Sequence, residues 1–267
     1  MAVTPRAPLP TVRIGCAGWS IASRDAPLFG EGGSHLARYA TRFDIAEINS
    51  TFHRPHQRTT FERWAASVPA HFRFSAKLPK TITHEARLHG TGDALTTFFA
   101  SVAGLGSKLG GVLVQLPPGL VYEARIADRF FAMLRRRCPV RVACEARHPS
   151  WFVPAVDRLW ARYDVARVAA DPAILPEAAR PGGERRAARW SYWRWHGSPR
   201  MYYSAYDDEA LRFLAQALVK EGRARSPSWC ILDNTAHGHA MANALRLQNG
   251  VRDDLRRGRG RLDPSYR

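Results

Sequence analysis

Short apolar runs rich in β-branched and aromatic residues alternate with helix-length amphipathic stretches along most of this chain, and few folds accommodate that alternation. The runs fall at 13–16, 43–48, 72–76, 111–116, 140–144, 164–169, 190–195 and 229–232. Between them the apolar spacing is near 3.6. Phe61, Trp64, Ala65 and Val68 form one stripe, closed by Pro69. Ile126, Phe130, Met133 and Leu134 form another, and Leu211, Leu214, Ala215 and Leu218 a third. Eight β units, each followed by helical sequence, imply parallel strands joined by right-handed crossovers, and eight such units most often close into a (β/α)8 barrel of the TIM type. An open doubly wound sheet is the alternative, but no Gly-x-Gly-x-x-Gly follows any run. The length, 267 residues, suits one such barrel.

The alternation is irregular only in its sixth unit. Residues 171–189 offer at most a short helix among prolines and glycines, so a loop flanking the barrel mouth is expected there. The expected organisation is an N-terminal extension (1–11), a barrel domain (12–249) and a basic, disordered C-terminal tail (250–267). The first residues lack the apolar core of a signal peptide and no window is long enough to span a membrane, which predicts a cytoplasmic protein. Cys16, Cys138, Cys144 and Cys230 form no Cys-x-x-Cys pair and read as buried thiols.

In a barrel of this kind, reacting groups come from the C-terminal ends of several strands. Here apolar runs finish on Glu47-Ile48-Asn49, Ser75-Ala76-Lys77, Gln115, Glu145-Ala146-Arg147-His148, Asp171, His196 and Asp233-Asn234. Side chains alternate across a strand, so Glu47, Lys77, Glu145 and Arg194 meet near the top of the barrel if their faces point inward, two charges of each sign together. The plainer reading of each residue alone is a helix cap or a structural ion pair. The Trp190, Trp193, Trp195 run reads as core, whereas Trp151 and Phe52, just past strand ends, read as aromatic walls of the mouth. A metal site is not expected: His84-Glu85 and His89 have the wrong spacing for a shared helical face, and no P-loop or Gly-x-Ser-x-Gly elbow occurs. The alternative is Mg2+ held by Glu47, Glu145 and Asp233.

The formal charge of +17 favours anionic partners, although nearly all of it is arginine, and heavy arginine and alanine use can reflect genome composition alone. Lysine occurs only at Lys77, Lys80, Lys108 and Lys220.

Several segments carry a resemblance. Gly15-Cys16-Ala17-Gly18-Trp19, Glu47-Ile48-Asn49-Ser50-Thr51-Phe52-His53-Arg54, Phe74-Ser75-Ala76-Lys77, Ile82-Thr83-His84, Gln115-Leu116-Pro117-Pro118, Glu145-Ala146-Arg147-His148-Pro149-Ser150-Trp151-Phe152 and His196-Gly197 resemble motifs of the YecE-like family, domain of unknown function 72. The likeness runs from about residue 13 to 247. It implies a TIM-type barrel and supplies no established reaction. Where the family usually has Phe-Asn-Asn, this chain has Leu232-Asp233-Asn234, which adds a carboxylate to the mouth; where many members have Phe-Tyr it has Phe52-His53.

Taken together, the residues point to an enzyme, a hydrolase or an isomerase or lyase without a clear metal requirement, acting on an anionic, phosphate-bearing substrate, a class that includes nucleic acid. Glu145, Lys77 and His196 are the expected acid–base groups. Glu47, Asn49, Phe52, His84, Gln115, Arg147, His148, Trp151, Arg194 and Asn234 are the expected binding groups. Two alternatives remain open. One is a non-catalytic nucleic-acid-binding protein using arginines of the rim, of 180–189 and of the tail; the other is a small-molecule-binding barrel. The sequence does not disclose the oligomeric state.

Overall fold

The computed structural model describes residues 12–182, 190–223 and 227–259. Its strands are β1 (Val12–Ala17), β2 (Ile45–Ile48), β3 (Arg73–Lys77), β4 (Leu109–Gln115), β5 (Arg141–Glu145), β6 (Val165–Arg167), β7 (Ala169–Asp171), β8 (Ser191–Trp195) and β9 (Ser228–Leu232). They form one sheet in the order β6-β5-β4-β3-β2-β1-β9-β8-β7, with every pairing parallel. β6 and β7 are the two halves of the expected sixth strand, divided at Val168. The first half pairs with β5 and the second with β8, so the two edges of the sheet are consecutive in the chain and the barrel is nearly closed.

Helices α1 (His35–Tyr39), α2 (Arg58–Ala66), α3 (Gly92–Val102), α4 (Ala124–Arg137), α5 (Pro154–Tyr163), α6 (Asp208–Arg223) and α7 (His239–Arg259) surround it. The stripes read from spacing are the faces that pack: Phe61 of α2, Phe130 and Leu134 of α4, and Leu211, Leu214 and Leu218 of α6 are buried. The sixth unit has only a 3-10 turn, Pro176–Ala179, among the described residues after β7, as its prolines and glycines predict. Most of the 180–189 segment, 183–189, lies outside the described residues.

The interior is filled from the bottom. Trp190, Tyr192 and Trp229 point inward with Ile45, Leu113, Ala143, Ala166 and Ile231, and the two indoles meet edge to face at 5.2 Å. β4 makes room for Trp229 with glycine, since a Cβ on Gly110 would sit 2.6 Å from that ring. Trp193 and Trp195 point outward into the helix-facing core, so the tryptophan run is core, as its sequence reads. With the middle of the barrel filled by these aromatic and aliphatic groups, the buried charged residues that point inward gather at the strand C-termini. The four cysteines are buried and unpaired. Among the described residues no helix is long and apolar enough to cross a membrane.

One expectation is overturned. The segment from 250 is not a disordered tail over its first ten residues, because α7 continues through it to Arg259. Ala244, Leu247 and Val251 are fully buried at helical spacing, and Leu255 packs on the same core. The arginines around them obscure that stripe in the sequence. Residues 260–267 and 1–11 lie outside the described residues. Truncation after Gly250 should therefore cost about 2–4 kcal/mol of stability, mainly the burial of Val251 and part of Leu255. Urea unfolding at neutral pH measures it, and an unchanged midpoint would show that this end of α7 packs on nothing.

Candidate functional site

On five strands the inward face carries an apolar residue and, two positions on, a polar one. The pairs are Ile45 and Glu47, Leu113 and Gln115, Ala143 and Glu145, Tyr192 and Arg194, and Ile231 and Asp233. Period-two alternation thus lifts one polar side chain per strand to a single level above the aromatic plug. At the centre lies Arg194, with no exposed surface. Its Nη2 donates to Glu47 Oε1 at 2.7 Å and to Asp233 Oδ2 at 2.8 Å, its Nε to Glu47 Oε2 at 3.1 Å, and its Nη1 to Glu145 Oε2 at 2.5 Å. Tyr192 donates its hydroxyl to Glu47 Oε2 at 2.8 Å.

His196 bridges two of these carboxylates. Nδ1 lies 3.0 Å from Asp233 Oδ2, and Nε2 3.2 Å from Glu145 Oε1. Glu145 Oε1 also accepts from Arg147 Nε at 2.7 Å and from Gln115 Nε2 at 3.0 Å. Arg147 reaches over the cluster and donates from Nη2 to the Tyr202 hydroxyl at 3.1 Å. Asn49 makes a long contact, 3.5 Å, to Asp233 Oδ1. Lys77 stands apart: its Nζ lies 4.0 Å from the centre of the Phe52 ring, and that ring meets His84 edge to face at 4.9 Å. A short π-helical turn, Thr81–Glu85, presents His84.

The electrostatics follow from this packing. Burial alone would raise the Glu145 pKa, but Arg194, Arg147 and His196 hold it well below the usual carboxylate range. Asp233 is lowered for the same kind of reason, with Arg194 overcoming burial. Burial opposes charge on His196, yet Glu145 and the Asp233 hydrogen bond raise its pKa above the ordinary value. Lys77 is pushed the other way, to about 8, by burial first and Arg194 second. His84 is lowered by burial and by the nearby cations Lys77 and Arg147.

Most of the expected residues therefore converge: Glu47, Asn49, Phe52, Lys77, His84, Gln115, Glu145, Arg147, Arg194 and His196. Three do not. Trp151 is not a wall of the mouth; it is buried, stacks on Trp160 of α5 at 5.8 Å and donates its indole N–H to Leu120 O. Asn234 faces the opposite side of its strand from Asp233 and donates to Ser204 O and Asn243 Oδ1, fastening the loop after β8 to α7. His148 holds Ser150 Oγ at 2.8 Å and caps the turn Pro149–Trp151. Conversely, Tyr192 and Tyr202 belong to the site without having been expected there. Tyr192 lies two residues before Arg194, so parity could have found it. Tyr202 comes from a non-periodic loop, at φ 69°, where no spacing signal exists.

The Mg2+ alternative does not fit this donor set. Glu47, Glu145 and Asp233 all turn an oxygen onto the Arg194 guanidinium, which already occupies the point of convergence. Among the described residues no group of three His, Cys, Asp or Glu side chains is arranged to hold a metal ion.

With this geometry in place, the chain can be compared with known proteins. The profile of the family described as "Protein of unknown function DUF72" matches residues 13–263. UPF0759 protein YecE of Escherichia coli (strain K12) is 33% identical over 86 residues, 32% of this chain and 32% of that protein, so the match spans about a third of that relative's length. A solved DUF72 family protein of Enterococcus faecalis V583 superposes with TM-score 0.75 at 21% identity, covering 90% of this chain and 95% of that one. Another, from Thermotoga maritima MSB8, gives 0.74 at 22% identity, covering 91% and 99%. These two likenesses show the barrel fold.

Arg194→Met should destabilise the protein by about 3–5 kcal/mol at neutral pH, because it leaves buried carboxylates unpaired. The sign with pH is definite. In the native protein the lowered carboxylates contribute stability above their unfolded pKa that is lost as pH falls. In the variant the same groups take up protons, so the deficit shrinks in acid. Urea midpoints of both proteins at two pH values measure this, and equal midpoints at neutral pH would contradict it.

Proposed function

This chain belongs to the DUF72 family, and from the chemistry of its mouth we propose that it is an enzyme acting on a small anionic, phosphate-bearing substrate by acid–base chemistry. The observation that carries the proposal is the charge of the buried cluster. Three carboxylates, Glu47, Glu145 and Asp233, face Arg194, Arg147, Lys77 and a His196 whose pKa is raised. When His196 is protonated the cations outnumber the carboxylates. A buried excess of positive charge is costly unless an anion completes it.

The roles divide by what each group has left to offer. Lys77 makes no ion pair within 4 Å among the described residues, and Arg147 Nη1 makes none of the hydrogen bonds that engage its Nε and Nη2, so these two supply donors for the anion. His196, whose charged form Glu145 and Asp233 favour against burial, is the proton donor: Nδ1 stays on Asp233, and Nε2, at the longer contact of 3.2 Å, exchanges Glu145 for the substrate. Glu145 is kept ionised, which suits it to fix the charge and direction of His196 or to accept a proton, not to donate one. Gln115 orients Glu145, and Phe52, His84 and Asn49 border the substrate. A small molecule suits this place better than a polymer, because Lys77, Glu145, Arg194 and His196 are each at most 5% exposed beneath Arg147 and Tyr202.

Inorganic phosphate and pyrophosphate should raise the melting temperature of the protein. Lys77→Met and Arg147→Met should each weaken that binding by about tenfold, the loss of one charge-assisted contact. Turnover of phosphorylated metabolites should fall in His196→Gln, and in the native enzyme it should fall as pH rises through the raised pKa of His196, where the donor is lost. The reading is overturned if phosphate gives no shift while labelled oligonucleotides bind with steep salt dependence in native and Lys77→Met protein alike.

A further inference from the structure

The four lysines of this chain have different surroundings, and Lys77 is the exception among them. Lys80 pairs with Glu85 at 3.0 Å on the surface. Lys108 donates to Ala65 O and Val68 O at the C-terminal end of α2. Lys220 is exposed on α6. Lys77 is 5% exposed and lies inside a cluster of three carboxylates, yet it pairs with none of them. The β2–β3 register sets Glu47 beside Ser75, close to Lys77, but Glu47 is already taken by Arg194 and Tyr192. The amine instead rests on the face of Phe52, with His196 in the same mouth as a proton donor.

We infer that Lys77 is a nucleophile that forms an imine with the carbonyl carbon of the substrate, which makes that substrate a small aldehyde, ketone or 2-oxo acid carrying phosphate or carboxylate. The inference rests on the acid–base reading above and adds the reacting bond. A buried amine that forms no ion pair is the arrangement that leaves lysine partly unprotonated near neutrality, and the value of about 8, lowered by burial first and Arg194 second against Glu47, Glu145 and Asp233, agrees. The neutral Lys77 amine attacks the carbonyl carbon, and the oxygen takes a proton from the His196 imidazolium. The new ammonium nitrogen returns a proton to the imidazole, giving a neutral carbinolamine. His196 then protonates the carbinolamine hydroxyl, which leaves as water while the nitrogen lone pair closes the C=N bond. One proton is consumed, carried by the iminium. That iminium withdraws electrons from the neighbouring carbon, so the reaction it serves is an isomerisation or carbon–carbon bond cleavage. Hydrolysis gains nothing from it.

Borohydride trapping tests this on the whole protein. Native protein, Lys77→Arg and His196→Gln are incubated with dihydroxyacetone phosphate or with pyruvate near pH 7.5, reduced, and mapped by mass spectrometry. With only four lysines the adduct is assigned unambiguously. Near pH 7.5 an amine of pKa about 8 has on the order of a hundredfold more neutral form than an ordinary lysine, so labelling should concentrate on Lys77 by a large factor over Lys220. It should be abolished in Lys77→Arg, slowed in His196→Gln, and suppressed by inorganic phosphate. Labelling spread evenly over Lys80, Lys108 and Lys220, or absent from Lys77 while phosphate still raises the melting temperature, overturns the imine and leaves the phosphate reading standing. Lys77 labelling that phosphate neither protects nor stabilises supports the imine and overturns the phosphate reading instead.

Discussion

Arg194 donates to carboxylates from β2, β5 and the end of β9, so three strands distant in sequence are joined through one guanidinium that has no contact with water. Removing such a charge from solvent costs several kcal/mol, and the carboxylates carry comparable costs of their own. Only multiple short bonds in good geometry offset that. The planar fork of arginine supplies four of them in fixed directions, one more than an ammonium has N–H groups. Three other groups of the mouth depend on this centre. Glu145 stays ionised because Arg194 faces it; the charged form of His196 is favoured because Glu145 and Asp233 are ionised; Lys77 is discouraged from charge by burial first and then by Arg194.

The cluster can exist only above a filled barrel. Trp190, Tyr192 and Trp229 occupy the lower interior, so the polar groups have a dry floor. Tyr192 joins the two layers, its ring belonging to the plug and its hydroxyl to Glu47. A dry floor raises the strength of each charge–charge contact and the penalty for each unpaired group together. The arrangement is therefore preorganised: the dipoles that would meet a substrate are set before it arrives.

Much of this was legible in the sequence for a simple reason. Strand alternation is a local rule, and it applies to Glu47, Lys77, Glu145 and Arg194 without knowledge of any partner. The same rule places Tyr192 with Arg194, and at the end of β9 it separates Asp233 from Asn234. The inward residue there is the aspartate, while Asn234 ties down the loop behind. Position past a strand end is a weaker guide, as Trp151 demonstrates. Its fate is decided by Trp160, nine residues on in another helix, and by the Leu120 carbonyl from the preceding loop. Tyr202 had no local signal because loops have no period. The stripe of Leu247, Val251 and Leu255 did have one, but arginine-rich composition was read as disorder where a single amphipathic helix continues.

The choice of residue at position 77 is informative against this arginine-rich background. Holding a phosphate by charge and geometry is work that arginine does at least as well as lysine, through paired N–H groups and a permanent charge. Arginine cannot, however, release a proton near neutral pH, and its nitrogen is not a useful nucleophile. The mouth already contains two guanidiniums, Arg194 spent on carboxylates and Arg147 partly free to meet an anion. A third cation serving only to attract the substrate would gain nothing from being lysine, from forming no ion pair with the carboxylates around it, or from lying near a charge that lowers its pKa. Those three properties agree with the inference that the amine is neutral at some point of the reaction.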